Sequence, residues 1–309
     1  EYALEMDENV AVGSTYDISG VIIKDVSDNV VSDNFEKEDL IFHAMDGLNR
    51  GLFLWVPSNV YVTTNTLGIN RGIEVVPNST VNVDAGTYNE NVLVNKSVTL
   101  LGAKKDVDPR GADWAGDITT VDATGGNYGF LVTAPNVTIN GFKVTGAEGA
   151  NIYDNGGICV NGSTQLAGID IRYNWLDANS ANGIFIGSTN DPLVHYNYCS
   201  NNGNGSDNIG GISVYVSGSE LVNDGTIAYN EVTDNQSYGI YVSSAANNPN
   251  TISGLEIKYN TVYNNTKYGL QLLSHNNESA VASVSVNNND IYNNGRNGLK
   301  LVDVTDCSF

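Results

Sequence analysis

Asp170, Arg172 and His195 are the side chains whose types and spacing come nearest to acid–base chemistry in this sequence. An acid and a guanidinium two apart on an extended segment point the same way, and a histidine on the following segment adds a group that titrates near neutrality. Trp175 and Tyr198 stand at matching positions further along the same two segments. Together the five predict one surface patch that holds a sugar ring against aromatics and moves protons around it. The simpler reading is the stronger one: Asp170 pairs with Arg172, His195 is an ordinary surface residue, and no catalytic role is assigned.

A second constellation is the loop from Asp106 to Asp117, with carboxylates at Asp106, Asp108, Asp113 and Asp117. Oxygen-rich loops hold calcium, so these four are the candidate ligands, although their spacing matches no established calcium loop and a solvated loop is the commoner outcome. Cys199 occupies an inward, inert position, whereas Cys159 is expected to point outward and Cys307 lies in the tail. Cys159 and Cys307 are about five coils apart, roughly 24 Å. That is too far for one bond, so any disulfide using them joins neighbouring molecules. Sequons at Asn78, Asn95, Asn136, Asn161, Asn204, Asn235, Asn264 and Asn277 make glycosylation and an exported location the expectation.

The elements that position these residues come from an internal repeat. Gly157-Ile-Cys-Val, Gly183-Ile-Phe-Ile, Gly211-Ile-Ser-Val, Gly239-Ile-Tyr-Val, Gly269-Leu-Gln-Leu and Gly298-Leu-Lys-Leu recur at spacings of 26, 28, 28, 30 and 29, with Gly129-Phe-Leu-Val 28 residues upstream. Between them, segments such as Ile227-Ala-Tyr-Asn-Glu-Val place Asn174, Asn197, Asn230, Asn260 and Asn289 at equivalent positions. Each repeat reads as three short strands of period two, and one such unit cannot bury its apolar face alone. Stacked coils solve this, with a ladder of the five asparagines at a sharp turn, where Asn tolerates left-handed backbone angles. The tyrosines just before the ladder, Tyr173, Tyr196, Tyr229 and Tyr259, are expected to pack rather than bind ligand.

The chain thereby resembles the right-handed parallel β-helix, or pectate-lyase-like, superfamily over roughly residues 75 to 303. Asp84-Ala-Gly-Thr-Tyr-Asn-Glu-Asn-Val, leading on to Leu101-Gly102, is similar to that superfamily's first coils. The resemblance implies an all-β solenoid of three strands per coil and about eight coils over residues 75–309. Residues 1–74 form a capping region with one helix of about three to four turns starting at Asp33-Asn-Phe-Glu36. Lyases of the superfamily need acidic calcium ligands and a basic proton acceptor, hydrolases an array of aspartates, and methylesterases an Asp pair with an Arg. The outward column Cys159, Phe185, Ser213, Tyr241, Gln271 and Lys300 matches none of these.

With 14 basic and 35 acidic residues the chain carries a formal charge of −21, which excludes nucleic acid and anionic membrane surfaces as partners. No apolar run is long enough to insert into a membrane. Beginning at Glu1 without an apolar leader, the chain reads as a processed form or an expression product. After Leu301 the tail is expected to leave the last coil uncovered, and an open edge recruits another edge. The Asn-, Gly- and Tyr-rich texture resembles surface β-helix proteins of methanogenic archaea, including those that build sheaths or surface layers. The reading is a self-assembling structural protein of the cell envelope, extracellular, with itself as partner and no cofactor except calcium. A secreted polysaccharide lyase or hydrolase working through Asp170, Arg172 and His195 is the alternative, as is a non-catalytic adhesin binding glycans through Trp175 and Tyr198.

Overall fold

The computed structural model describes residues 2–7, 13–75, 79–149, 155–204, 209–217, 220–245, 251–275 and 280–309. Strands stack in parallel into three long sheets of nine, eight and eight strands. Sheet A runs from Asn59–Val62 to Ser285–Asn287, sheet B from Gly86–Tyr88 to Asp290–Tyr292, and sheet C from Val92–Val94 to Leu299–Val302. Each turn of the chain visits A, B and C in that order. A fourth sheet of four two-residue strands, Thr189–Asn190 to Val281–Ala282, fills the return from C to A in the later coils. The sequence pattern had predicted three strands per coil; the fourth is too short to show a period.

Register explains the repeat. Ile171, Val194, Ile227, Ile257 and Val286 face inward from sheet A, and Leu176, Cys199, Val232, Val262 and Ile291 from sheet B. They meet the Ile158, Ile184, Ile212, Ile240 and Leu270 column of sheet C in one continuous core. The glycine before each sheet C strand is a matter of space. A Cβ on Gly239 would stand 2.4 Å from Val262 Cγ1 and 2.5 Å from the Gly269 carbonyl, inside any tolerable contact.

The N-terminal cap departs from expectation. Its first helix, α1, spans only Asn34–Asp39, with Asp33 Oδ1 accepting from the amides of Phe35 at 2.8 Å and Glu36 at 3.0 Å. The apolar residues that follow do not continue it: Ile41–Phe42 pairs as a strand with Leu4–Glu5, Ile41 enters a small cluster with Ile18, Trp55 and Tyr61, and Met45 enters the main core. Two separate cores draw the chain in two directions, and one helical stripe cannot serve both. A second helix, α2 (Ile69–Val75), lays Ile69 and Ile73 over the core. Its first amides are capped from another coil by Glu90, at 2.7 Å and 3.1 Å. Sheet A already begins at Asn59, so the solenoid starts before the expected boundary at residue 75.

The C-terminal expectation also changes. Beyond Leu299–Val302 the chain keeps winding, with Thr305 bridging Ala282, Ser308 bridging Ser285, and Val304 and Cys307 packing on the core.

Candidate functional site

Register places His195 opposite Arg172 in sheet A and Tyr198 opposite Trp175 in sheet B. The turn at Tyr173-Asn174 separates the two pairs, so the expected single patch is two. On sheet A, Asp170 accepts from Arg172 Nη1 through Oδ2 and lies 3.0 Å from His195 Nε2 through Oδ1. Arg172 Nε also reaches Asp106 at 3.4 Å. Both oxygens of Asp170 are thus engaged. On sheet B, the Trp175 ring carries Lys143 Nζ 4.0 Å above one neighbour-facing side and stacks on Tyr198 at 5.9 Å, while Nε1 donates to Ser200 Oγ at 3.0 Å. The aromatic faces are taken by axial neighbours, which leaves ring edges rather than a platform for a sugar.

The acidic loop does not gather its carboxylates. Asp106 accepts from Asn140 Nδ2 at 2.9 Å beside Arg172, and Asp108 accepts from Arg110 Nε at 2.7 Å, a pairing that lowers the Asp108 pKa. Lys104 bonds to the carbonyls of Asp113 and Ala115 instead of to side chains. No three of the four expected calcium ligands bring their ligand atoms within 4.8 Å of one another. Among the described residues, the group of three ligating side chains with ligand atoms within 4.8 Å of one another lies in the cap: Glu38, His43 and Asp46. His43 Nδ1 accepts from the Phe53 amide at 3.0 Å, so Nε2 carries the proton that faces Glu38 Oε1 at 2.9 Å. A cation on Nε2 would have to displace that proton while Nδ1 still faced a donor, so the histidine is committed to hydrogen bonds on both ring nitrogens, whereas Glu38 Oε2 is buried without a partner among the described residues. Burial pushes Glu38 well above the usual carboxylate range, pulls His43 down to about 4 and pushes Asp46 up to about 6. The sequence carried no periodic signal for this cluster.

Cys159 corrects a further expectation. It does point away from the main core, but the outer face of sheet C is itself covered: Cys159, Phe185 and Tyr241 are buried in a second apolar cluster with Tyr215 and Tyr238. Cys159 cannot reach a neighbouring molecule. Cys307 is half-buried, its Sγ donating to the Thr305 carbonyl at 3.3 Å. Cys199 is fully buried, which raises its thiol pKa. Of the sequons, Asn95, Asn136, Asn204 and Asn264 are exposed and Asn161 is half-buried. Asn235 is fully buried and cannot carry a glycan, and Asn78 and Asn277 lie outside the described residues.

Asn235 is buried because it belongs to a second ladder. In the first, Asn174, Asn197, Asn230, Asn260 and Asn289 each accept through Oδ1 from the residue one coil earlier. Asn230 Oδ1 receives the Asn197 amide at 2.9 Å and Asn197 Nδ2 at 3.0 Å, while Asn230 Nδ2 donates to the Val194 carbonyl at 2.9 Å. Asn179, Asn202, Asn235, Asn265 and Asn294 repeat this geometry at the turn between sheets B and C. The signal was available, since every ladder Asn is followed five residues later by another. The left-handed residue is not the ladder Asn but the one before it: Tyr173, Tyr196, Tyr229 and Tyr259 have φ of 54°, 55°, 58° and 58°. Their rings stack at 5.0 Å, within 10° of parallel, along the outer edge of the solenoid.

Three parallel sheets wound in A, B, C order with an axial ladder of side chains define a parallel β-helix. The chain belongs to the right-handed β-helix family, whose model, described as "Right handed beta helix region", matches residues 118–309. Among solved structures it is similar to endopolygalacturonase I from Stereum purpureum complexed with two galacturonate, at 13% identity and a TM-score of 0.39, over 81% of this chain and 93% of that one. No curated protein matches the sequence.

Proposed function

We propose that this protein is a non-catalytic structural component of the cell envelope, of the surface-layer or sheath type, acting outside the cell and associating with copies of itself. The observation that carries the reading is that the chemistry-bearing side chains are spent on contacts with one another, within a strand or along the stack. Asp170 is held by Arg172 and His195, Trp175 lies between Lys143 and Tyr198, and both asparagine ladders bond along the stack. A hollow of 480 Å³ beside Gly162 and Leu221 has Glu220 as its one ionisable side chain among the described lining residues, so it supplies no acid–base pair. α2 lays Ile69 and Ile73 over the core near the N-terminal end, which favours assembly through the flanks over head-to-tail stacking. Exposed sequons give a glycan coat its attachment points.

Negative-stain electron microscopy and sedimentation over a range of protein concentrations, with and without chelator, test the reading. Ordered sheets or tubes are the expected result; uniform rods at every concentration overturn it. A secreted polysaccharide lyase or hydrolase is the competing reading. It predicts cleavage of uronate or neutral polymers that Asp170→Asn abolishes.

A further inference from the structure

We propose that the tyrosine stack is a binding edge for an extended neutral glycan lying parallel to the solenoid axis. Nothing in this inference rests on the envelope reading. The four phenols of Tyr173, Tyr196, Tyr229 and Tyr259 repeat every 5.0 Å. Among the described residues none of the four hydroxyls has a hydrogen-bond partner, and Tyr229 and Tyr259 are 39% and 45% exposed. The result is a rigid comb of hydroxyls whose order is already imposed by stacking, so little freedom is lost on binding. Its spacing is that of the strands, ~4.8 Å, and a β-linked pyranose chain advances by a comparable distance per sugar. Successive sugars of an extended β-1,4-linked chain are turned over relative to one another, so successive phenols meet alternate edges, each bearing hydroxyls, and many weak contacts add along one polymer.

The choice of residue supports this. The turn needs a left-handed residue, for which Asn or Asp is the cheaper solution. The last coil uses Asn288 with φ of 54° at the same position, and the second turn uses Asn201, Asp234, Asn264 and Asn293. The backbone therefore does not ask for tyrosine. Donors and acceptors flank the comb: His195 beside Tyr196, the Lys258–Glu256 pair beside Tyr259, and Arg172 with Asp106 at the Tyr173 end. Their charges are compensated in pairs, which favours a neutral chain over a uronate. Both faces of Tyr196 and Tyr229 are closed by stacking, so recognition along the comb is by hydroxyl edges.

The test uses the whole chain and three probes: cellohexaose, maltohexaose and a hexamer of galacturonate. Chemical-shift titration of the tyrosine rings is expected to show saturable binding of cellohexaose, weaker binding of the coiled maltohexaose and weaker binding of the charged hexamer. Tyr229→Asn with Tyr259→Asn, a residue the last coil already accepts at this turn, should weaken cellohexaose binding by about tenfold. Tyr292→Phe, on sheet B outside the comb, should leave it unchanged. Absence of cellohexaose binding, equal binding of maltohexaose, preference for the uronate, or full binding by a folded double variant would each overturn the proposal.

Discussion

The solenoid turns two similar corners in every coil and fills them differently. At both, an asparagine is buried under the backbone and bonds to its counterparts, and at both the preceding residue is left-handed. At the corner between sheets A and B that residue is tyrosine four times running. At the corner between B and C it is Ala178, Asn201, Asp234, Asn264 and Asn293. The shared part is what the fold requires: a buried carboxamide satisfies amides and carbonyls that the turn leaves unpaired. The unshared part is what the fold merely permits. Left-handed backbone costs an ordinary side chain roughly 1–2 kcal/mol, and aromatic stacking contributes about 0.5–1.5 kcal/mol per pair. Over four left-handed tyrosines and three stacked pairs the backbone cost outweighs the stacking, so the tyrosine stack is not a source of stability.

The comparison breaks most visibly if the two ladders are not equivalent. Asn230→Ala and Asn235→Ala each remove a side chain with several buried partners, so each should cost about 4 kcal/mol, several unsatisfied groups at roughly 1–3 kcal/mol each. Denaturant midpoints of the two variants should agree. A much milder loss at Asn235 would mean that matching geometry conceals unequal energetics.

Outside the repeat, in the cap, buried polar groups meet as a single pair instead of a column, His43 Nε2 on Glu38 Oε1 with Glu38 Oε2 left without a partner among the described residues, and here pH is the probe. His43 is held neutral by burial, with its pKa drawn down from 6.5 to about 4. Its contribution to stability is complete above pH 6.5 and is lost as pH falls towards 4. Glu38 and Asp46, both pushed up, act in the opposite sense, in full below their unfolded pKa and lost as pH rises through the folded one. Measured against His43→Gln, wild type should lose stability between pH 6.5 and 4, on the order of 3 kcal/mol. Amide exchange in the cap would report it, and a flat difference would show that the imidazole titrates as if exposed.

How far the sequence disclosed this structure follows from periodicity. Inward columns, the first ladder and the stacking of coils were legible because one residue type recurs at one position in every repeat. The second ladder carried the same signal, masked because Asn also fills the adjacent left-handed positions, as at Asn201-Asn202 and Asn264-Asn265. Cys159 was placed on the correct side of its strand, yet alternation says nothing of a second layer, and Phe185 and Tyr241 beside it were the hint that its outer face is covered. The Glu38–His43 pair and α2 were not legible at all. Each occurs once, and α2 contains Gly72, which costs helix propensity about 1 kcal/mol but is required because a Cβ there would lie 2.9 Å from both Val62 and Val81.

The smallest expected effects decide what the tyrosines are for. Asn264→Tyr moves a tyrosine to the other corner, where Asn201, Asp234 and Asn293 offer no ring to stack on, and should cost about 1–2 kcal/mol. Tyr229→Asn relieves the backbone but breaks two stacked contacts, so its net change should be within about 1 kcal/mol. Thermal midpoints of the pair would show the asymmetry. Should Tyr229→Asn instead lose several kcal/mol, the stack would be a structural necessity, and its hydroxyl row would need no ligand to account for it. Should the change be near zero, stability cannot be what keeps tyrosine at four successive left-handed turns, and the outward-facing hydroxyl edge is the property left to explain it.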